Sequence, residues 1–169
     1  MLIVKATKST MQDLQITPVK LDISDLFYSW HVNFFILNRK KHYVFMNDLA
    51  RLSLTVSGIR SNQLAKLPEI FLSNLQKYLI SEGISEKLID AYLDNCNQAI
   101  YAKTDSRSVL ATLNEIMGIT KSFEGEENEK FADLIQLNQW NNRIIYKPIE
   151  YKKPIDVFKQ ELEREFGKS

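Results

Sequence analysis

The stretch that most constrains this chain is residues 30–57, where three apolar segments are separated by two short polar turns. In 30–37, Trp30, Val32, Phe34 and Ile36 alternate with His31, Asn33, Phe35 and Leu37. Both faces are therefore apolar near the turn. Such a strand belongs in the middle of a sheet, covered on both sides at that end. Asn38-Arg39-Lys40-Lys41 forms the first turn. A two-residue loop at 39–40 pairs Leu37 with His42, Phe35 with Val44 and Phe34 with Phe45. Arg-Lys is poor chemistry for the favoured two-residue turn, which takes Asn-Gly or Asp-Gly, so a longer or bulged loop is the alternative. Asn47-Asp48-Leu49-Ala50 forms the second turn and brings Phe45 near Leu52 and Tyr43 near Leu54. In 51–57, Leu52, Leu54 and Val56 point inward. Arg51, Ser53 and Thr55 point outward, to water.

The remaining elements are read around this pair of hairpins. Leu2–Ala6 is a short apolar strand, and Thr7 or Ser9 caps one or two helical turns through Met11 and Leu14. Pro18 to Asp25 is irregular. Pro68 suits the first position of a helix carrying Phe71, Leu75, Tyr78 and Leu79, with Gly83 just beyond it. Ser85 caps a second helix. Residues 98–103 read as a strand. Thr104 to Ser108 opens a third helix, with Val109, Leu113 and Ile116 inside and Gly118 as its terminator. Glu124 to Lys130 is an acidic, solvated stretch leading into a helix over about 127–138 with Phe131, Leu134, Ile135 and Leu137. Asn138 to Asn142 is turn-like, with Trp140 as a packing anchor, and Ile144–Tyr146 is a short strand. A last helix over 155–166 presents Ile155, Phe158, Leu162 and Phe166 as one stripe that must dock, preferably on its own domain.

Composition excludes several classes. With 169 residues there is chain enough for one real core. No window approaches 18 uncharged apolar residues, so no membrane span is expected. The first residues carry an apolar run too short for a signal peptide, which leaves a cytoplasmic location as the default. Cys96 is the single cysteine and rules out an internal disulfide or a cysteine-cluster metal site. Net charge is +1 but unevenly spread: residues 1–60 hold eight Lys/Arg against four Asp/Glu, and residues 61–150 nine against thirteen. A strong nucleic-acid binder shows a larger excess.

Four groups of residues stand out together: Trp30-His-x-Asn33; Asn38-Arg39-Lys40; Asn47-Asp48; and Lys103-Thr104-x-Ser106-Arg107-Ser108 with Asn114. They resemble a family of small bacterial proteins, mostly from Gram-positive genomes, classed only as a domain of unknown function. The resemblance covers roughly residues 1–120. It implies an architecture and a set of recurring positions, and it brings no activity.

Three site candidates follow, each beside a plainer reading. Lys103, Thr104, Ser106, Arg107 and Ser108 stand where a strand ends and a helix begins. Free N–H groups, hydroxyls and two cations there suit an anion such as a phosphate; the plainer reading is a helix cap with surface cations. There is no Gly-rich phosphate loop. His31 with Asp48, beside Asn33, has the composition of an oriented general base; otherwise Asp48 is a turn former and His31 a polar strand residue. Arg39, Lys40 and Lys41, with His42 and the following aromatics, form a basic hairpin tip that could hold nucleic acid; otherwise the charges protect an edge. His31 and His42 lie on different strands without a third ligand, so no metal is expected, and no cofactor either.

The fold expected is α+β: a small antiparallel sheet of four to five strands, helices packed on one face, a core domain over 1–120 and a C-terminal helical extension over 121–169 packed on it. The function expected is a non-enzymatic cytosolic binding or interaction module, with an unknown protein or a second copy as partner. Phosphate recognition on a nucleotide or nucleic acid is the alternative, and an enzyme using His31 and Asp48 is the competing class.

Overall fold

The computed structural model describes residues 1–22, 24–124 and 133–167. The acidic stretch from Gly125 to Lys130, and Phe131, lie outside the described residues. Five strands form one sheet: β1 (Leu2–Ala6), β2 (Ser29–Leu37), β3 (Lys40–Asn47), β4 (Ser53–Ser57) and β5 (Ala99–Lys103). Their order is β4-β3-β2-β1-β5. The helices are α1 (Lys8–Leu14), α2 (Leu67–Ser81), α3 (Glu86–Asp94), α4 (Arg107–Glu124), α5 (Leu134–Asn141) and α6 (Pro154–Phe166).

The α+β class and the five strands are as the sequence indicates, and two details differ. The sheet is mixed, not antiparallel: β1 pairs in parallel with both β2 and β5. The hairpins 30–57 impose antiparallel pairing only on β2, β3 and β4. β1 reaches β2 and β5 through long, helix-containing connections, which is what parallel neighbours require. Helices also cover both faces, not one. On the first face Trp30, Val32, Tyr43, Phe45 and Leu54 pack with residues of α1, α2, α3 and α6. On the second, Phe35, Val44 and Met46 meet Val109, Leu113 and Ile116 of α4. A central strand with large groups on both sides needs both covers.

Both hairpin registers sit two residues from the sequence reading. Leu37 pairs with Lys40, Phe35 with His42 and Phe34 with Tyr43. The loop is Asn38-Arg39, both in the left-handed region (φ 52° and 63°), as the twist-matched two-residue turn demands. Asn at its first position tolerates that conformation better than most residues. In the second hairpin Phe45 pairs with Leu54 and Tyr43 with Val56. A two-residue shift leaves every side chain on its face, so the cores follow the alternation even though the partners differ.

The second face of β4 does not meet water. Ser53 and Thr55 are buried under α5. The Asn142 amide accepts from the Ser53 N–H at 2.7 Å and donates to its carbonyl at 2.8 Å. Asn138 does the same for Thr55 at 2.9 and 3.4 Å. These residues are four apart on one side of a helix, so their amides act as a substitute strand along the open edge of β4. Residues 138–141 are therefore helix, not turn, and Leu137, not the 37%-exposed Trp140, is the buried anchor of α5. Gly118 lies inside α4 instead of ending it; the packing of Val109, Leu113 and Ile116 outweighs the roughly 1 kcal/mol that a mid-helix glycine costs. No strand forms at 144–146; Tyr146 is buried there from a loop.

The C-terminal helix is part of the first core. Phe158 of α6 sits 4.8 Å from the ring of Phe27 and 5.3 Å from that of Tyr92. Trp30 donates its indole N–H to the Tyr92 hydroxyl at 3.0 Å, and Tyr92 passes its own proton to the Phe27 carbonyl at 2.7 Å. Every polar atom of that aromatic cluster thereby has a partner, as a dry core requires.

Candidate functional site

The buried charged residues of the sheet gather where the carboxyl ends of β1 and β5 meet the start of α4. Lys5 on β1 stands level with His31 on β2 and with Ala102 on β5. All three point to the second face. Asp48 follows the end of β3, one pleat beyond Met46, which pairs with His31. That spacing keeps Asp48 on the same side as His31, and the two meet despite the shifted register.

The contacts form a closed network. The ring N–H at Nδ1 of His31 donates to Asp48 Oδ1 at 2.6 Å. Nε2 accepts the backbone N–H of Asp105 at 3.3 Å, so the ring carries its proton on Nδ1. Lys5 Nζ donates to Asp48 Oδ2 at 2.9 Å and to Ser24 Oγ at 3.0 Å, and pairs with Asp105 Oδ2 at 3.0 Å. Its three protons thus have three partners. Arg51, from the turn before β4, donates to the Asp48 carbonyl and, through Nη2, to Ser108 Oγ at 3.0 Å. Its Nε has no partner among the described residues. Beside the network, Thr7 donates to Asn33 at 3.1 Å and Asn33 to Asn114 at 3.3 Å, which ties α1 and β2 to α4.

Burial differs sharply within this group. His31 is fully buried, and the side chains of Lys5 and Asp48 are each 2% exposed, whereas that of Asp105 is 58% exposed. Burial alone would lower the Lys5 pKa, but the Asp48 carboxylate and then that of Asp105 hold it above the ordinary lysine value. Burial pulls Arg51 below its ordinary value, against the opposing pull of Asp48. Two cations and two carboxylates leave the network neutral in sum, the condition under which buried charge is tolerated.

The network reaches the surface at a pocket of about 410 Å³. It is lined by Lys5, by residues 102–105 at the end of β5 and the turn after it, and by residues 18–21 as a second wall. The second wall is held by the Val19 N–H, which donates to the Tyr101 carbonyl at 2.8 Å and extends the sheet beyond β5.

The residues singled out in the sequence divide between two places. His31 and Asp48 touch. Lys103 and Thr104 line the pocket. Ser106 takes the Val109 N–H on its hydroxyl at 3.1 Å, the capping arrangement, and Ser108 receives Arg51. Arg107 is exposed on the first turn of α4. Arg39, Lys40 and Lys41 lie at the far end of the β2–β3 hairpin; Lys41 and Lys40 are level with Ile36 and Leu37, four and five residues beyond Val32, which is level with Lys103 through Ala6. That separates tip and turn by roughly 13–17 Å along the strand. Lys41 is paired with Asp13 there. His42 is buried, not exposed at the tip: its ring stacks on Phe35 at 5.0 Å and contacts Ser57.

Lys5 and Arg51 were not legible as site residues. Lys5 lies in a short strand read as apolar and drew no role of its own, and Arg51 reads as the outward residue of its alternation. The one available signal is a charge inside the run Leu2-Ile3-Val4-Lys5-Ala6, where a strand buried on both faces has no room for a solvated ammonium.

His31, Asp48 and Asp105 carry three ligand-type atoms within 4.8 Å of one another. The Lys5 ammonium lies on both carboxylates, so the positive charge that a metal would bring is already there. No helix among the described residues is long and apolar enough to cross a membrane.

No curated protein matches the chain. A family model described as Domain of unknown function (DUF6933) matches residues 3–157. The match takes in β1 from Ile3, the other four strands and α1 to α5, and ends in the first residues of α6. It runs on past residue 120, farther than the motifs that carry the resemblance. The chain therefore belongs to that family, a domain of unknown function built as a five-stranded mixed sheet with helices on both faces.

Proposed function

We propose that this chain is a cytosolic binding module for a small anionic ligand, a carboxylate or a phosphate, taken at the pocket between residues 18–21 and 102–105. The observation that carries this reading is the charge at the rim. Behind the pocket Lys5, Arg51, Asp48 and Asp105 balance one another. At its mouth Lys20 and Lys103 add two exposed positive charges. The Thr104 hydroxyl supplies a neutral donor, and Val19, Leu21 and Ala102 supply an apolar wall. A concave, mostly apolar site with few convergent polar groups is the usual form of a small-molecule site.

Two other readings have less support. His31 is fully buried with both ring nitrogens engaged, which favours an orienting role over that of a general base. The basic tip stands too far from the pocket to share one phosphate group, and Asp13 neutralises Lys41, so a continuous nucleic-acid track lacks its middle.

Calorimetric titration with inorganic phosphate, pyrophosphate and citrate tests the reading. At least one should bind, and the Lys20→Ala, Lys103→Ala double variant should lose about tenfold or more in affinity. Arg39→Ala, Lys40→Ala should leave affinity unchanged. Binding that depends on Arg39 and Lys40 instead, or that is absent for all three anions, contradicts it.

A further inference from the structure

Asp105 differs from every other member of the network. Asp48 is as buried as Lys5 and is held twice, by Lys5 and by His31. Ser24 is a neutral partner. Asp105 alone is an exposed carboxylate on a buried ammonium, and both residues line the pocket.

We infer that Asp105 is an internal stand-in for the ligand: its carboxylate occupies the anion position on Lys5, and the anionic group of a bound ligand replaces it there. This rests on the anion-binding reading of the same pocket and assigns its specificity to Lys5, with Lys20 and Lys103 at the rim. The exchange conserves charge and donor count. Lys5 gives up one N–H···O contact and gains another, the Asp105 carboxylate goes to water, and Asp48 and Ser24 stay in place. The Asp105 backbone N–H is separate from its side chain, so its bond to His31 Nε2 can persist and keep the turn before α4 in register. Only an oxyanion satisfies Lys5 in this way. A cation would meet Lys20 and Lys103 first and find Lys5 behind them, and a neutral ligand would strand a buried ammonium, which is costly.

An intramolecular competitor acts as a concentrated local anion and weakens every external one. Asp105→Asn removes the charge while keeping the shape. The comparison is Asp22→Asn, which removes an exposed carboxylate next to the same wall without touching Lys5. The probes are inorganic phosphate and acetate, titrated calorimetrically into each full-length variant, with circular dichroism confirming the fold. Displacement predicts that Asp105→Asn tightens the anion by about tenfold, while Asp22→Asn tightens it by less than about twofold, the size of a general surface-charge effect. Adding Lys5→Gln to Asp105→Asn should return affinity to or below that of the unchanged chain. If the Lys5→Gln chain does not fold, the side-chain amine resonance of Lys5 in the folded Asp105→Asn chain supplies the readout, and it should shift with phosphate. Equal tightening by the two Asp variants, or no change with Asp105→Asn, overturns the exchange and leaves the pocket reading standing. Absence of any anion binding in the unchanged chain overturns both.

Discussion

The two faces of this one sheet are built from the same strands and use opposite chemistry. The first face is closed and dry. Trp30, Tyr43, Phe45, Phe71 and Phe158 meet there; the Trp30 indole and Tyr92 hydroxyl protons end on the Phe27 carbonyl, and the Tyr43 hydroxyl reaches out to Asp13. The second face is apolar only where α4 crosses β2 and β3. At one end it turns into amides that stitch α5 to the β4 edge, and at the other into the charged network around Lys5. The first face thus supplies stability, roughly 1.5–3 kcal/mol for each large side chain fully buried. The second supplies order at fixed positions, because every charge there needs a partner at a set distance. On the first face polar groups are few, and the hydroxyls of Tyr43, Tyr78 and Tyr92 already have their partners. On the second face the bonding groups are present, and one of them opens to solvent.

The first face depends most on Trp30. Trp30→Ala should cost about 3–5 kcal/mol in urea unfolding, from lost transfer and a cavity beneath Phe71 and Phe158. A cost below about 1 kcal/mol would mean that the first face is not the main core. Next comes Lys5→Met, which leaves Asp48 buried against His31 alone and should cost about 3 kcal/mol. The pH dependence gives its sign. Because the folded Lys5 pKa lies above the ordinary 10.5, its stabilisation is complete below pH 10.5 and is lost as pH rises through the folded value. The stability gap between unchanged chain and variant should therefore be flat across neutral pH and close only in strong alkali. A gap that closes near neutrality would contradict the assigned pairing. Asn142→Ala is smaller, about 1–3 kcal/mol, since it orphans the Ser53 N–H and carbonyl; amide hydrogen exchange at Ser53 should quicken in the variant while that at Val44 stays slow. Smallest of all, Arg39→Ala with Lys40→Ala should change stability by less than about 0.5 kcal/mol, because both side chains are exposed at the hairpin tip.

The first face was readable before any coordinates. The alternation of Trp30, Val32 and Phe34, and of Leu52, Leu54 and Val56, states which residues go inward, and a register error of two residues does not disturb it. Helix starts at Pro68 and Ser85 were equally local, being set by one residue's own geometry or hydroxyl. The second face was not readable in the same way. The partners of Ser53 and Thr55 are Asn142 and Asn138, some eighty residues away, and nothing in a polar run announces that its amides will replace a strand. Arg51 looks like a solvated charge, and Lys5 carries no local signal of burial, because a sequence carries no record of which strand becomes central. His31 and Asp48 were recognised as a pair, yet their roles depend on Lys5 and Asp105, which reach them through parallel pairings that no hairpin signal implies. The hairpin tip drew notice by charge density, the most local signal of all; the structure keeps it apart from the network by most of the length of β2.

The most direct test of the account is an amide chemical-shift map of the full chain titrated with inorganic phosphate. The account predicts saturable shifts confined to the pocket, at Val19 to Leu21 and Ala102 to Asp105, with the Asp105 amide among the largest and with Asn38 to Lys41 unmoved. Shifts centred on Asn38 to Lys41, or none at any phosphate concentration up to the millimolar range, would contradict it.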